Sequence, residues 1–391
     1  MDKSKYSWSL INNNISDNDK ESLSNFILNS DRFTNGPKVR KFEEIWSRWL
    51  GVKHSVMVNS GAMANYLSIA VVKEYKGFEG EIIVPPIGWV SDISSVLNHG
   101  FIPVFSDVEL GTLSLNYESV KDAVNDRTMG IVIVHCLGFD AISEKLIRFI
   151  KERNLIFIED CSECHGAKHN NDKLGTFGDM SCFSFYYGHH MTTIEGGMVC
   201  TNDDSIYELL KLYRSHGLTR EATDSLKKKF SQEYQTLNPL FTFAVPGYNI
   251  RSTEINAVLG LEQIKRLDSN IIQRRRNLTL WLDNLSPAKY FTDFKIKGNS
   301  SFALPLILLE KSETVFKNVQ NVLQNEGVEF RVGTAGGGNQ VLQPYLQNYK
   351  YKVVGKLNNA NHIHHYGLYI GNHPELKEKQ IINLCSKLNE C

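Results

Sequence analysis

The run EIIVPPIGWVSDISSVLNHGFIPVF, residues 81–105, decides the fold. Its ends, EIIVP at 81–85 and IPVF at 102–105, are short apolar runs of the kind that form strands buried on both faces. Between them, residues 92–98 follow a helical pattern. The rhythm continues along the chain. GIVIV at 130–134 and LIFIE at 155–159 read as further strands, with helical patterns at 117–124 and 144–154 and another at 62–74 ahead of the first strand. Such alternation specifies a mostly parallel sheet covered by helices on both faces. A long helical segment follows at 252–276. The remainder, with a strand-like 301–309 and helices near 312–325 and 376–388, reads as a smaller α+β unit. The expected architecture is α/β, with a large domain over 1–270 and a small C-terminal domain over 271–391. Pro246-Gly247 and the glycine-rich residues 333–338 read as loops, and Gly336-Gly337-Gly338 as a flexible surface loop.

Composition narrows the function. A chain of 391 residues is too long for one small core. Its 42% apolar and 22% charged residues are ordinary for a globular protein. Lys+Arg and Asp+Glu cancel at 43 each, so no basic excess points to nucleic acid or an anionic membrane. No run of 18 apolar residues exists to span a bilayer. Met1-Asp2-Lys3-Ser4-Lys5-Tyr6 lacks the apolar core of a signal peptide, and seven irregularly spaced cysteines make no disulfide framework. A reducing cytoplasm is the expected location.

Three features fall at loops and strand ends, where open α/β sheets place their sites. Asn59-Ser60-Gly61-Ala62-Met63-Ala64 enters a helix, and small residues there let backbone N–H groups reach a phosphate. Taken alone, an ordinary helix cap explains it better. Ile158-Glu159-Asp160 puts a carboxylate just past a buried strand, suited to a pyridinium nitrogen or to a structural ion pair. The third is FSFYYGHHMTTIEGG, residues 183–197, which joins a hydroxyl, paired tyrosines, the paired histidines His189 and His190, and a Glu-Gly-Gly turn.

This last run resembles the sugar aminotransferase family of the fold-type-I pyridoxal-phosphate enzymes, whose pattern is close to S-F-x-x-x-K-x-x-T-x-x-E-G-G. Ser184-Phe185, Thr192 and Glu195-Gly196-Gly197 match it, and the lysine position falls on His189. The likeness covers nearly the whole chain. Asn35 to Glu43 matches a G-P-x-V-x-x-F-E element, Gly247-Tyr248-Asn249-Ile250-Arg251 a G-Y-N-x-R element, and Leu259-Gly260-Leu261-Glu262-Gln263 follows as in the family. Histidine in place of lysine is similar to the subgroup of deoxysugar 3-dehydratases. So are the paired histidines, Glu163 three residues after Asp160, and the stretch Arg214 to Arg220, R-S-H-G-L-T-R.

The resemblance implies roles for particular residues. Gly61 and Ala62 hold the phosphate of pyridoxal or pyridoxamine phosphate through backbone N–H groups, with the Ser184 hydroxyl. Trp89 stacks on the ring, Asp160 pairs with its nitrogen, and Glu163 lies near its hydroxyl. Asn249 reaches the phosphate in a neighbouring subunit, which implies a homodimer with shared active sites. His189 is the base. An imidazole cannot anchor the cofactor covalently, but it can carry a proton near neutral pH. The implied reaction is loss of the C3 hydroxyl from a nucleotide-linked 4-keto-6-deoxyhexose, the GDP-mannose-derived one favoured, with L-glutamate as amino donor. His216, Arg220, Glu329 and Arg331 are candidates for substrate binding, the arginines because guanidinium groups suit phosphate oxygens.

Other readings are weaker. Cys161-Ser162-Glu163-Cys164-His165 fits a haem-attachment pattern, but haem attachment needs export. Zinc at Cys161 and Cys164 lacks a second ligand pair, and no metal is expected. A related dehydratase group acts on CDP-sugars with an iron–sulfur cluster held by cysteines; here no cysteine lies between Cys200 and Cys385. An aminotransferase needs its lysine, and Lys173, a nearby substitute, sits in a polar Asn170-Asn171-Asp172 turn. A catalytically inactive scaffold is disfavoured by Trp89, Asp160, Ser184 and Asn249.

Overall fold

A computed structural model describes residues 6–77 and 79–391. Residues 1–5, part of the stretch read as lacking a signal peptide, lie outside the described residues. Eight strands form the large sheet. Their order is His54–Val58, Gly197–Thr201, Met180–Ser184, Ile156–Asp160, Thr128–Val134, Glu81–Val84, Ile102–Ser106 and Lys352–Val354. Gly197–Thr201 runs antiparallel to both neighbours; every other pairing is parallel. Side chains alternate between two cores. Ile131 and Ile133 enter the one built on Phe42 and Trp46, whereas Val132 and Val134 enter the one built on Leu67 and Val71. Both faces are covered, which is why these strands are apolar throughout rather than at every second position.

The covering helices are fixed at their ends. Ser60 caps the helix Gly61–Lys76 by accepting the Met63 N–H at 3.2 Å. The helix Pro37–Leu50 begins after Gly36, which has no side chain to cap with; the buried Glu254 carboxylate does it instead, accepting the N–H groups of Lys38 at 3.0 Å and Val39 at 2.9 Å. Glu254 also starts the helix Glu254–Asn284, which ties the two parts of the molecule together. That helix passes unbroken through residue 270, where the sequence pattern suggests a boundary. Its far end packs on the small sheet, where the Trp281 indole N–H donates to Pro305 O at 2.7 Å.

The small sheet is antiparallel, in the order Ala303–Ile307, Gly367–Gly371, Phe330–Val332. Two segments cross between the parts. Lys352–Val354 joins the edge of the large sheet beside Ile102–Ser106. Near the chain's start, Trp8 bridges Val328, and its buried indole donates to Gly371 O at 2.8 Å. Among the described residues no helix is long and apolar enough to cross a membrane.

The glycine-rich segment differs from its expected form. Gly336 has φ +61°, and a Cβ there would lie 2.1 Å from Gly88 O; one on Gly338, φ +89°, would lie 2.5 Å from the His364 ring. Backbone closeness and left-handed geometry demand glycine here. The run is a packed loop against the loop before Trp89, and no flexible surface excursion.

Candidate active site

A cavity of about 280 Å³ opens at the C-terminal ends of the parallel strands, closed from above by the small sheet and by Leu10 and Ile11 of the N-terminal strap. One end is built from backbone. The helix Gly61–Lys76 points its first turn into the cavity, and the N–H groups of Gly61 and Ala62 have no protein acceptor among the described residues. Glycines make this approach possible. A Cβ on Gly61 would lie 2.4 Å from Ser184 Cβ, and one on Gly197 would lie 2.3 Å from Ser60 O. Gly196 is equally constrained, because its Cβ would meet Thr193 Oγ1 at 2.2 Å. The Glu-Gly-Gly turn is thus the wall on which the helix N-terminus rests. Ser184 adds its hydroxyl beside that N-terminus, accepting the Tyr186 N–H at 3.3 Å.

Ile194, in the same turn, has φ +70°, a strained value for a β-branched residue. The strain is held from both sides. Asn256 donates to Thr193 O at 2.7 Å and to Glu195 O at 2.9 Å, while the Ile194 N–H donates to Thr192 Oγ1 at 2.8 Å.

Acids line the middle. Asp160 ends its strand and accepts from Asn65 Nδ2 and from the Ser162 N–H, each at 2.8 Å. Asp92 shares the same Asn65 amide, again at 2.8 Å. Glu163 accepts the Leu137 N–H at 2.7 Å. Withdrawal from water pushes its carboxyl up to about 7, with the Asp160 charge adding to the rise and the Leu137 N–H and Arg331 opposing it. Arg331 reaches the cavity with Tyr369, to whose hydroxyl it donates at 3.5 Å. Trp89 is 55% exposed, an aromatic face turned to the cavity rather than to the core.

His189 stands opposite. Its backbone N–H donates to Tyr186 O at 3.0 Å, its ring lies 5.3 Å from that of Phe302, and its Nδ1 is buried without a partner among the described residues. Burial pushes this imidazole down to about 4; the Asp160 charge opposes the shift and the Arg274 cation deepens it. Arg274 is itself buried, donating to the carbonyls of Phe302 and Asn372. Behind His189, the His190 Nε2–H donates to Ser300 O at 3.1 Å, and both His190 and the buried His165 are held neutral by desolvation. No lysine is among the described residues lining the cavity. Lys173 donates to Trp49 O, outside the cavity.

The structure therefore gathers Gly61, Ala62, Trp89, Asp160, Glu163, Ser184, His189 and Arg331 around one space. It sets the others apart. Glu329 accepts the Leu10 N–H at 2.8 Å and fastens the N-terminal strap. Arg220 donates to Leu240 O and lies over the Phe241 ring. His216 and Asn249 share a short bridge region outside the cavity. Sequence patterns passed over Asn65, Asp92 and Arg274, which read as polar positions of helices; only the tertiary fold turns them inward.

A model of the DegT/DnrJ/EryC1/StrS aminotransferase family matches residues 14–389. The chain belongs to this family. A GDP-4-keto-6-deoxy-D-mannose 3-dehydratase of Escherichia coli O55:H7 is 34% identical over 352 residues, 89% of this chain and 90% of that protein. The solved E. coli enzyme of that name with bound hydrated pyridoxal phosphate superimposes with a TM-score of 0.89 at 31% identity, covering 98% of this chain and 99% of that one. A structure of the GDP-4-keto-6-deoxymannose 3-dehydratase with a trapped pyridoxal-phosphate–glutamate geminal diamine gives 0.88, also at 31%, covering 98% and 100%. The α/β fold-type-I architecture read from the sequence is the one the family shares.

Proposed function

We propose that this chain is a pyridoxal-phosphate-dependent 3-dehydratase acting on GDP-4-keto-6-deoxymannose, with glutamate as amino donor. The observation that carries the reading is His189, which occupies the family's lysine position in a cavity with no lysine among the described residues of its wall. The dehydratase names of the relatives support the substrate.

The residues present fit the cofactor. Free N–H groups at a helix N-terminus and the Ser184 hydroxyl suit a phosphate, Trp89 suits a flat ring, and Asp160 suits a protonated ring nitrogen. When bound, the cofactor supplies a transferable amino group and an electron sink. The protein supplies the rest. Neutral His189 accepts a proton without first losing one. Burial keeps it neutral and the Arg274 cation adds to the effect; already protonated and donating to carbonyls, that guanidinium takes no proton itself. Leu10 and Ile11 limit water from the strap side. Overall, the sugar exchanges its C3 hydroxyl for hydrogen, and glutamate becomes 2-oxoglutarate and ammonia, which balances atoms and electrons.

A homodimer with shared sites belongs to the same proposal. Asn249 and Arg220 lie outside this chain's own cavity, beside a segment in which Leu240, Phe241 and Phe243 are 58%, 60% and 59% exposed. That apolar segment suits burial against a second copy, which would bring Asn249 to the neighbour's phosphate. The seven unpaired cysteines, six of them buried, support a reducing cytoplasm.

Mass spectrometry of GDP-, CDP- and dTDP-linked 4-keto-6-deoxyhexoses after incubation with enzyme, cofactor and glutamate tests the reaction. The GDP-sugar should lose one oxygen atom and ammonia should be released. A product that keeps its hydroxyl and gains an amino group would make the chain an aminotransferase. Turnover of only the CDP- or dTDP-sugar would overturn the substrate.

A further inference from the structure

The aspartate beside Asp160 has no role in the chemistry so far. Asp92 lies on the helix Val90–Asn98 and is 2% exposed. Asn65 Nδ2 has two hydrogens and three acceptors within reach: Asp92 Oδ1 at 2.8 Å, Asp160 Oδ2 at 2.8 Å and Ser91 Oγ at 3.2 Å. Two buried oxygens are left over, Asp92 Oδ2 and Asn65 Oδ1, both without a donor among the described residues. The amide alone does not satisfy the cluster. Two carboxylates that share one amide in a buried site cannot both be charged at modest cost. A proton on Asp92 cancels one of the two charges and makes the acid a donor, with Asp160 as its hydrogen-bond partner.

We propose that Asp92 is a neutral carboxylic acid that, together with Asn65, holds Asp160 as the one anion of the pair and fixes its aim at the ring nitrogen of the bound cofactor. The aim rests on the function proposed above; the protonation does not. The surroundings agree. The titratable groups around Asp92 are Asp160 and Glu163 from the strand end and the following loop, Cys136 and Cys182 from neighbouring elements, and Tyr345 from the short helix Pro344–Asn348. None is a cation. Burial drives the Asp92 carboxyl well above the carboxylate range, and the charge of Asp160 and its hydrogen bond drive it the same way. Asp92 is thus a positioning residue. Ionised, it would draw the ring's positive charge away from Asp160; neutral, it leaves a single directed carboxylate.

Two variants separate a neutral acid from an anion. D92N preserves shape, hydrogen bonds and lack of charge; D92A removes the support of Asn65. Infrared difference spectra of the cofactor-free protein, parent minus D92N, at pH 8 should show the carbonyl stretch of a protonated carboxylic acid, shifting in heavy water. Absence of that band overturns the proposal, and this readout stands even if no pyridoxal phosphate binds. Titration with pyridoxal phosphate, followed by its absorbance, should give D92N an affinity within ~2-fold of the parent and D92A a loss of ~10-fold or more, the scale of a buried hydrogen-bond partner removed. Equal losses in D92N and D92A would mean that Asp92 acts as an anion. Parent-like binding by D92A would mean that it positions nothing. If D92A fails to fold, the infrared band and the D92N titration still decide.

Discussion

His189 and Glu163 face one cavity, yet burial moves them in opposite senses on the pH axis. The imidazole sits at about 4, below its usual value, so between pH 4 and ~6.5 the unfolded chain binds a proton that the folded chain does not. Stability should fall as pH drops through that window, by on the order of 3 kcal/mol for this group alone. His165 and His190 push the same way, so H189N should reduce the slope rather than abolish it. Urea unfolding at several pH values measures this, and an unchanged slope would mean that His189 is solvated. Glu163 is the mirror case. Its carboxyl at about 7 lies above the unfolded value, so its contribution is complete below ~4.5 and is lost as pH rises through 7. E163Q, already neutral, should therefore be more stable than the parent at pH 8, by roughly 1–3 kcal/mol, and indistinguishable from it near pH 4. Loss of stability at both values would make Glu163 a structural anion. Neither environment can be read from the local sequence, because the desolvating walls come from Phe302, Arg331 and Tyr369, far along the chain.

Among the elements, the Glu-Gly-Gly turn and the helix Gly61–Lys76 form one unit, because the backbone of Ser60 occupies the space a Gly197 Cβ would need. G197A should displace that helix N-terminus, weaken pyridoxal phosphate binding by ~10-fold or more, and lower stability by about 1–3 kcal/mol. Cofactor titration and thermal unfolding check both, and parent-like affinity would detach the turn from the phosphate end. Much of this level was legible. Expected strands at 81–85 and 155–159 appear as Glu81–Val84 and Ile156–Asp160, and the helix expected at 312–325 as Glu313–Asn325. Burial on both faces writes such strands as unbroken apolar runs. Met180–Ser184 (MSCFS) and His54–Val58 escaped because polar residues interrupt them. Ser181 is buried there only because its hydroxyl donates to Gly175 O at 2.7 Å. Asn65 and Asp92 hid for the same reason: a polar residue in a helical pattern looks solvated until another element covers it.

At the scale of the whole molecule, the strand-like 301–309 is the Ala303–Ile307 strand of the small sheet, but the crossings between the sheets were not readable. Trp8 beside the small sheet and Lys352–Val354 on the large one pair with residues hundreds of positions away, where no local pattern points. The placement of Asn249 outside the cavity is a statement at this scale too. Mixing H189N with N249D should restore activity that neither has alone, because one mixed site of the dimer would be intact. An F241D/F243D variant should sediment as a monomer and lose turnover. Full activity of a monomer would refute shared sites. The imidazole at position 189 decides the chemistry. Borohydride reduction followed by peptide mapping, on the parent and on H189K, tests it most directly. The parent should carry no cofactor on any lysine and should release the 3-deoxysugar. H189K should carry cofactor covalently on the new lysine and release none. Cofactor fixed to a native lysine, or 3-deoxysugar still made by H189K, would contradict it.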